Sequence, residues 1–322
     1  KEVKNKNINM TIASLSFNEE FYLRCKELDV RFVNLNSNSK ENSSLISTNV
    51  YLKLNNLARE HKYFVWQCLP VNLSYFSRIN NNINWWSHKF HPNIPNIRKY
   101  IGMFTDPKPE VFFNKNIWKN YFIGYDLQNL KSTSFLWDER KNYFGTFCRE
   151  ELIDKKEFWL TVYSILKKNK NLIFCYTGRK SIHKKWINFV NINENRIKFL
   201  GWLKNPAYEI GRMSFLLEGP DLGHGMLSYE AMLAKVPLVG IDKNNYSGAF
   251  KNRLIMDNLT ELKRKLLPKN LIELLNQTEL LCKDSSYNAN IGNSLRKIIL
   301  KSQNTDNFSK FNEILEDNNL AK

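Results

Sequence analysis

No apolar run in this chain approaches the ~20 residues that a membrane-spanning helix needs, and the opening Lys1-Glu-Val-Lys-Asn-Lys6 has no signal-peptide core. Cysteine is scarce. Cys25, Cys68, Cys148, Cys175 and Cys282 are odd in number, far apart and without a Cys-x-x-Cys pair. That pattern excludes a disulfide framework and a zinc ribbon and leaves reduced residues in apolar segments. There is no Gly-x-x-x-x-Gly-Lys-Ser/Thr phosphate loop, no Gly-x-Gly-x-x-Gly after the first strand, no His-Glu-x-x-His and no Gly-x-Ser-x-Gly elbow. Asp-x-Asp, a common metal-holding pair, is missing too. Acidic residues are few, 31 against 48 basic, for a net charge of +17. The excess is scattered among Asn, Ile and Lys and forms no basic stripe with interleaved aromatics, so it does not indicate specific nucleic-acid binding. It favours an anionic nucleotide, an acidic acceptor or an anionic membrane surface. The expected location is the cytoplasm, with peripheral contact at the inner membrane face.

With 322 residues, 43% of them apolar, the chain can bury two cores of ordinary domain size. Strand and helix signals alternate throughout, the mark of an α/β fold. Met10 to Ser16, Glu19 to Leu28 and Val30 to Leu35 read as strand, helix and strand, an opening βαβ unit. Val50 to His61 has helical spacing, and Tyr63 to Leu69 is a buried strand stopped by Pro70. Ile83-Asn-Trp-Trp-Ser-His-Lys-Phe90 reads as a further strand, opening into His91-Pro92; 102–139 is less regular. From Tyr143 the alternation resumes at short spacing: strand, helix Lys156 to Lys168, strand Asn171 to Tyr176, helix Ile182 to Asn191, strand Arg196 to Trp202, helix Pro206 to Arg212, strand Ser214 to Leu217. From Leu262 the pattern is helical. The boundaries read from this pass are 1–138 for a first Rossmann-like domain, 139–305 for a second, and 306–322 for a terminal helix returning to the first.

The densest signal is Leu217-Glu-Gly-Pro-Asp-Leu-Gly-His-Gly-Met-Leu-Ser-Tyr-Glu-Ala-Met-Leu-Ala-Lys-Val-Pro-Leu-Val-Gly240, an apolar strand running through a glycine turn into a helix and a second strand. It reads as an anion cradle. Gly223 and Gly225 permit close backbone approach, Ser228 occupies an expected helix N-cap, and helix N–H groups there face an anion. His224, between two glycines, is expected to be exposed and to donate to phosphate, with Met226 and Leu227 completing the turn. Glu230, just inside the helix, suits hydroxyl groups of a sugar.

This stretch resembles the donor-binding half of GT-B glycosyltransferases, and about a third of the chain, Tyr143 to Asp242, resembles the O-GlcNAc transferase superfamily and the related bacterial cytosolic N-glycosyltransferases. The likeness rests on Phe144-Gly-Thr-Phe-Cys-Arg149, Phe158-Trp159, Tyr176-Thr-Gly178, Arg196-Ile-Lys-Phe-Leu-Gly-Trp202 and the glycine turn. It implies two Rossmann-like domains with a cleft between them and C-terminal helices. It also implies that Arg149 ends the first strand beside a diphosphate, that Thr177, Gly178 and Arg179 meet the nucleotide, and that Trp202 and Leu203 flank the base. The lysine expected three positions after Arg149 is Leu152, a departure from the usual diphosphate clamp.

In the first half, Ile83 to Pro92 followed by Ile94-Pro-Asn-Ile-Arg-Lys-Tyr100 resembles the acceptor-facing segment of these transferases, with Phe90 in place of a glycine and Lys99 in place of an acid. His91 or His88 is the expected general base, since imidazole titrates near neutrality. The reading is a hexosyl- or N-acetylhexosaminyltransferase that moves a sugar from a nucleotide-sugar, a UDP-sugar, to a protein or glycan acceptor. No cofactor or metal is expected, since basic groups and helix dipoles stabilise the departing diphosphate. The rival readings are a retaining GT-B transferase of surface-polysaccharide synthesis, a UDP-sugar epimerase and a non-catalytic binder of anionic polymers.

Overall fold

The computed structural model describes residues 10–14, 18–35, 48–61, 64–67, 83–87, 99–102, 118–120, 133, 135–190, 193–219, 224–225, 227–242, 250–251, 254, 259–303, 313 and 315–316. The chain divides into two compact units, Lys1–Ile123 together with Asp306–Lys322, and Gly124–Thr305.

The first unit opens with strand β1 (Thr11–Ser14), helix α1 (Glu19–Glu27) and strand β2 (Arg31–Asn34). The two strands pair in parallel, with Thr11 opposite Arg31, as a βαβ unit requires. Asn18 starts α1 by accepting the Phe21 amide at 2.8 Å. After helix α2 (Thr48–Glu60) come β3 (Phe64–Gln67), β4 (Ile83–Ser87), β5 (Lys99–Gly102) and β6 (Trp118–Asn120), a parallel sheet in that order. Strands β5 and β6 lie where the sequence showed an acceptor loop and an irregular stretch. Three or four residues rich in Lys, Asn and Gly are too few to carry a period-2 pattern.

The second unit is a five-stranded parallel sheet. Its strands are β7 (Tyr143–Thr146), β8 (Ile173–Tyr176), β9 (Ile197–Phe199), β10 (Phe215–Leu217) and β11 (Leu238–Val239). Their spatial order is β9-β8-β7-β10-β11. The chain therefore winds outward from β7 to one side, crosses back, and winds outward to the other. Between β7 and β8 lie α4 (Glu150–Ile153) and α5 (Lys156–Lys168). Helices α6 (His183–Val190), α7 (Ala207–Gly211) and α8 (Leu227–Leu233) make the remaining crossovers. A short helix α3 (Trp137–Arg140) precedes β7, and α9 (Thr260–Leu266), α10 (Leu271–Lys283) and α11 (Ser285–Gln303) follow β11. Among the described residues, no helix is long and apolar enough to cross a membrane.

Aromatic rings hold the sheet. Phe174, Phe144 and Phe215 share one register across β8, β7 and β10, with centroids 5.0 and 5.1 Å apart, and Trp159 of α5 meets Phe174 and Tyr176 edge-on at 5.7 and 5.6 Å. Such rings are the largest single contributors to a core, each worth roughly 2–3 kcal/mol in burial alone. Gly145 sits among them because a Cβ there would lie 2.8 Å from the Cys175 carbonyl oxygen. Cys25, Cys148 and Cys175 are buried free thiols and Cys282 is a half-buried one; Cys68 lies outside the described residues. Burial pushes the Cys175 and Cys282 thiols up to about 12.

At the amino ends of the strands, the buried Arg140 guanidinium donates to the Asn288 side-chain oxygen at 2.7 Å and to the Lys235 and Ser214 carbonyls at 3.4 and 3.5 Å. Burial brings its pKa down to about 10. Helix α11 crosses the end of α8 at Gly292, where a Cβ would stand 2.3 Å from the Lys235 carbonyl oxygen. Gly292→Ala gains helix propensity of up to ~1 kcal/mol yet forces backbone apart, a cost of about 1–3 kcal/mol. The expected outcome is a net loss of stability in urea titration. An unchanged or raised midpoint would show that α11 does not approach this closely.

Candidate functional site

In an open parallel sheet, ligands collect beyond the carboxyl ends of the strands where the winding reverses. Here that point is the fork between β7 and β10. The loops leaving β7, β8, β9 and β10 carry Arg149, Thr177 to Arg179, Gly201 to Leu203 and the glycine turn, so the topology brings these residues to one edge of the sheet.

Each loop is held by a specific contact. Arg149 is exposed at the start of α4, and the next residue, Glu150, reaches over to the β8 loop. Its carboxylate accepts the Arg179 amide at 2.5 Å and the Lys180 amide at 3.0 Å. Gly178 makes room for it, since a Cβ there would lie 2.8 Å from the Glu150 oxygen. The Gly178 amide donates to the Gly201 carbonyl at 3.2 Å, which ties the β8 loop to the β9 loop. Gly201 has a φ of +71°, a left-handed conformation that turns the chain so that Trp202 leaves the sheet. Trp202 is 72% exposed, with the Arg179 guanidinium 5.5 Å from its ring centroid. An exposed indole backed by a cation is a flat π-surface, not a core residue. Leu203 beside it is half-buried, as is Thr177.

The β10 loop differs from its sequence reading in two ways. His224, expected to be an exposed phosphate donor, is buried with only 6% exposure. What makes this tolerable is Glu218, equally buried at the end of β10. Its carboxylate accepts the His224 amide at 3.0 Å and lies 3.3 Å from Nδ1 of the same residue. That oxygen lies off the line of the Nδ1 proton, so the attraction is between charges and not a directed hydrogen bond. On its other side the imidazole Nε2 is 3.3 Å from the Thr146 hydroxyl on β7, so the ring bridges the fork. Ser228, expected as the N-cap, lies within the first turn of α8, and its hydroxyl donates to Glu218 at 3.2 Å. The Leu227 and Ser228 amides donate to the His224 and Gly225 carbonyls at 3.3 and 3.2 Å, so the cradle is narrower than the sequence suggested. Gly225 has a φ of +59°, as its glycine implied, and returns the chain from the buried ring to the start of the helix. Glu230 is half-buried in the first turn of α8. Gly223, Met226, His88 and His91 lie outside the described residues. Among the described residues, no three His, Cys, Asp or Glu side chains are grouped as metal ligands are.

Thr146, Glu150 and Glu218 were not singled out by the sequence reading. Glu218 had a visible signal, a carboxylate directly after a buried apolar strand with a histidine six residues on.

No protein-family model matches the chain, and no curated protein matches its sequence. Solved structures do match its fold. A mutant of the O-GlcNAc transferase of Thermobaculum terrenum superposes with a TM-score of 0.71 at 14% identity, over 96% of this chain and 60% of that one. A glycosyltransferase from Rickettsia africae gives 0.65 at 12% identity, over 98% and 92%. The pneumococcal O-GlcNAc transferase GtfA, in complex with UDP and GlcNAc, gives 0.52 at 14% identity, over 82% and 60%. This chain thus spans about 60% of the length of the first and third of these. It has the GT-B fold of glycosyltransferases.

Burial depresses the basicity of His224, but the Cys148 sulfur and the Glu218 carboxylate outweigh burial and raise its pKa to about 10 from 6.5. A raised histidine stabilises the fold fully below pH 6.5, and that stabilisation is lost as pH climbs through the folded value near 10. Wild type should therefore lose stability between pH 6.5 and 10 by a component that His224→Gln lacks, and at neutral pH the variant should be weaker by roughly 3–5 kcal/mol, the usual cost of breaking a buried pair. Parallel pH profiles of the denaturation midpoints would contradict a charged His224.

Proposed function

We propose that this chain is a glycosyltransferase that binds a nucleotide-sugar, a UDP-sugar, at the carboxyl edge of the second unit's sheet and transfers its sugar to a protein or glycan acceptor without a metal ion. The observation that carries the reading is the β7–β10 fork, with its glycine turn on one side and Arg149 on the other, in a chain with the GT-B fold. The structural likeness to GtfA, solved with UDP and GlcNAc, supports the donor class.

In this reading the diphosphate lies over the Gly223–Ser228 loop, and Arg149 supplies the charge that the family's lysine supplies elsewhere. A guanidinium serves this purpose well, because its planar fork binds two phosphate oxygens at once. Glu230 accepts ribose hydroxyls. Trp202, with Arg179 behind it and Leu203 beside it, is the shelf for the base. As the glycosidic bond to the diphosphate breaks, negative charge builds on the leaving oxygen, and cations and amides already aimed there lower the barrier. The base that deprotonates the acceptor is assigned to His91 or His88 from the sequence alone.

UDP should raise the melting temperature in a dose-dependent way, since a ligand that binds only the native state stabilises by mass action, and EDTA should leave the response intact. No response to any nucleoside diphosphate overturns the proposal. Trp202→Ala should leave stability almost unchanged, because the ring is exposed, and should weaken UDP binding roughly tenfold, the lower range of base–aromatic stacking. UDP should also quench tryptophan fluorescence in wild type more than in the variant. Equal affinities would remove Trp202 from the site.

A further inference from the structure

We propose that Glu218 is a positioning residue for the donor diphosphate, pinning both ends of the β10–α8 loop from beneath and, through the His224 ring, pinning that loop to β7. The inference rests on the donor site proposed above and adds a residue that touches no substrate.

The geometry is that of a staple. One carboxylate oxygen takes the His224 amide at 3.0 Å, and the other takes the Ser228 hydroxyl at 3.2 Å and faces His224 Nδ1 at 3.3 Å. These partners lie six and ten residues along the chain, so a single side chain ties the end of β10 to His224 and to the first turn of α8. The side chains of Glu218 and His224 are 1% and 0% exposed, which removes water as a substitute partner for either. If these contacts opened, a carboxylate, an imidazole and a hydroxyl would all be left buried without partners, so Glu218, His224 and Ser228 are held in one low-energy arrangement.

The staple also crosses the fork. Thr146 ends β7, and its hydroxyl stands 3.3 Å from His224 Nε2, so the strand ends that part at the switch point are joined through the imidazole. Cys148, buried two residues after Thr146, is the other titratable group acting on the ring. Directly after His224, Gly225 brings the backbone back up with a φ of +59°. Pre-organisation of this kind lowers the entropy lost when an anion is bound. The base shelf at the β8 and β9 loops is held separately by Glu150 and Gly201, so the staple should govern the phosphate end of the nucleotide and not the base.

The test is calorimetric titration of wild type, Glu218→Gln and Ser228→Ala with UDP and with uridine, at a temperature where all three are folded. Glu218→Gln should bind UDP at least tenfold more weakly and Ser228→Ala a few-fold more weakly, while uridine affinity stays at the wild-type level. In hydrogen exchange, amides 224–228 should speed up in both variants while those of β8 do not. Ser228→Ala removes only one contact and keeps the proposal testable if Glu218→Gln does not fold. Wild-type UDP affinity and unchanged exchange in the variants overturn the positioning role alone. An equal loss for uridine and UDP also overturns it, since that is the signature of general destabilisation. A wild type that binds no nucleoside diphosphate overturns the donor reading and the positioning role together.

Discussion

A carboxylate and an imidazole shut away from water, Glu218 and His224, are the interaction on which the carboxyl edge of the second unit's sheet depends. Two parallel strands that part at their carboxyl ends leave a gap, and a loop of glycines and small residues above such a gap has little reason to hold one shape. Burying a charge beneath it supplies the reason, because an isolated ion in that position is costly and its partners are available in one arrangement. The fold and the site are linked at this point. The outward winding of β7, β8 and β9, then of β10 and β11, creates the gap, and the charged pair decides what its floor looks like.

The remaining loops are held by milder means. Glu150 satisfies two amides of the β8 loop, and the β8 and β9 loops share one backbone hydrogen bond. These contacts lie near solvent, where carboxylate–amide bonds are worth about 1.5–3 kcal/mol at most. The edge therefore has buried, charged ties at Glu218, His224 and Ser228 and milder, more exposed ones around Trp202. That division suits a nucleotide, whose phosphates need fixed donors and whose base needs a surface to lie on.

The second unit was legible in the sequence almost element by element. Lys156 to Lys168 is legible to the residue, and the other strands and helices between Tyr143 and Val239, except the one-turn helix α4, fall within a few positions, because amphipathic helices alternate there with short apolar strands. The glycine turn and Trp202 were visible for a similar reason: glycines and a strand-end aromatic announce themselves locally. What escaped were β5, β6, the one-turn helices α3 and α4, and the buried partners. A three-residue strand such as Trp118–Asn120 has no period to read. Glu218 and Thr146 matter because of a residue 6 or 78 positions away, and His224 was misplaced because its flanking glycines argue for exposure while its distant partners argue for burial.

The far side of the same sheet carries a different consequence. Arg140 donates to Asn288, 148 positions later, and Asn288 in turn donates to the Ser214 and Leu281 carbonyls. One guanidinium thus gathers the segment before the first strand of the unit, the start of β10, the end of α8 and the first turn of the last long helix. The second unit's sheet is thus tied to a residue in the helix that follows it, and removing Asn288 would leave the Arg140 guanidinium with only two long carbonyl contacts in a buried place.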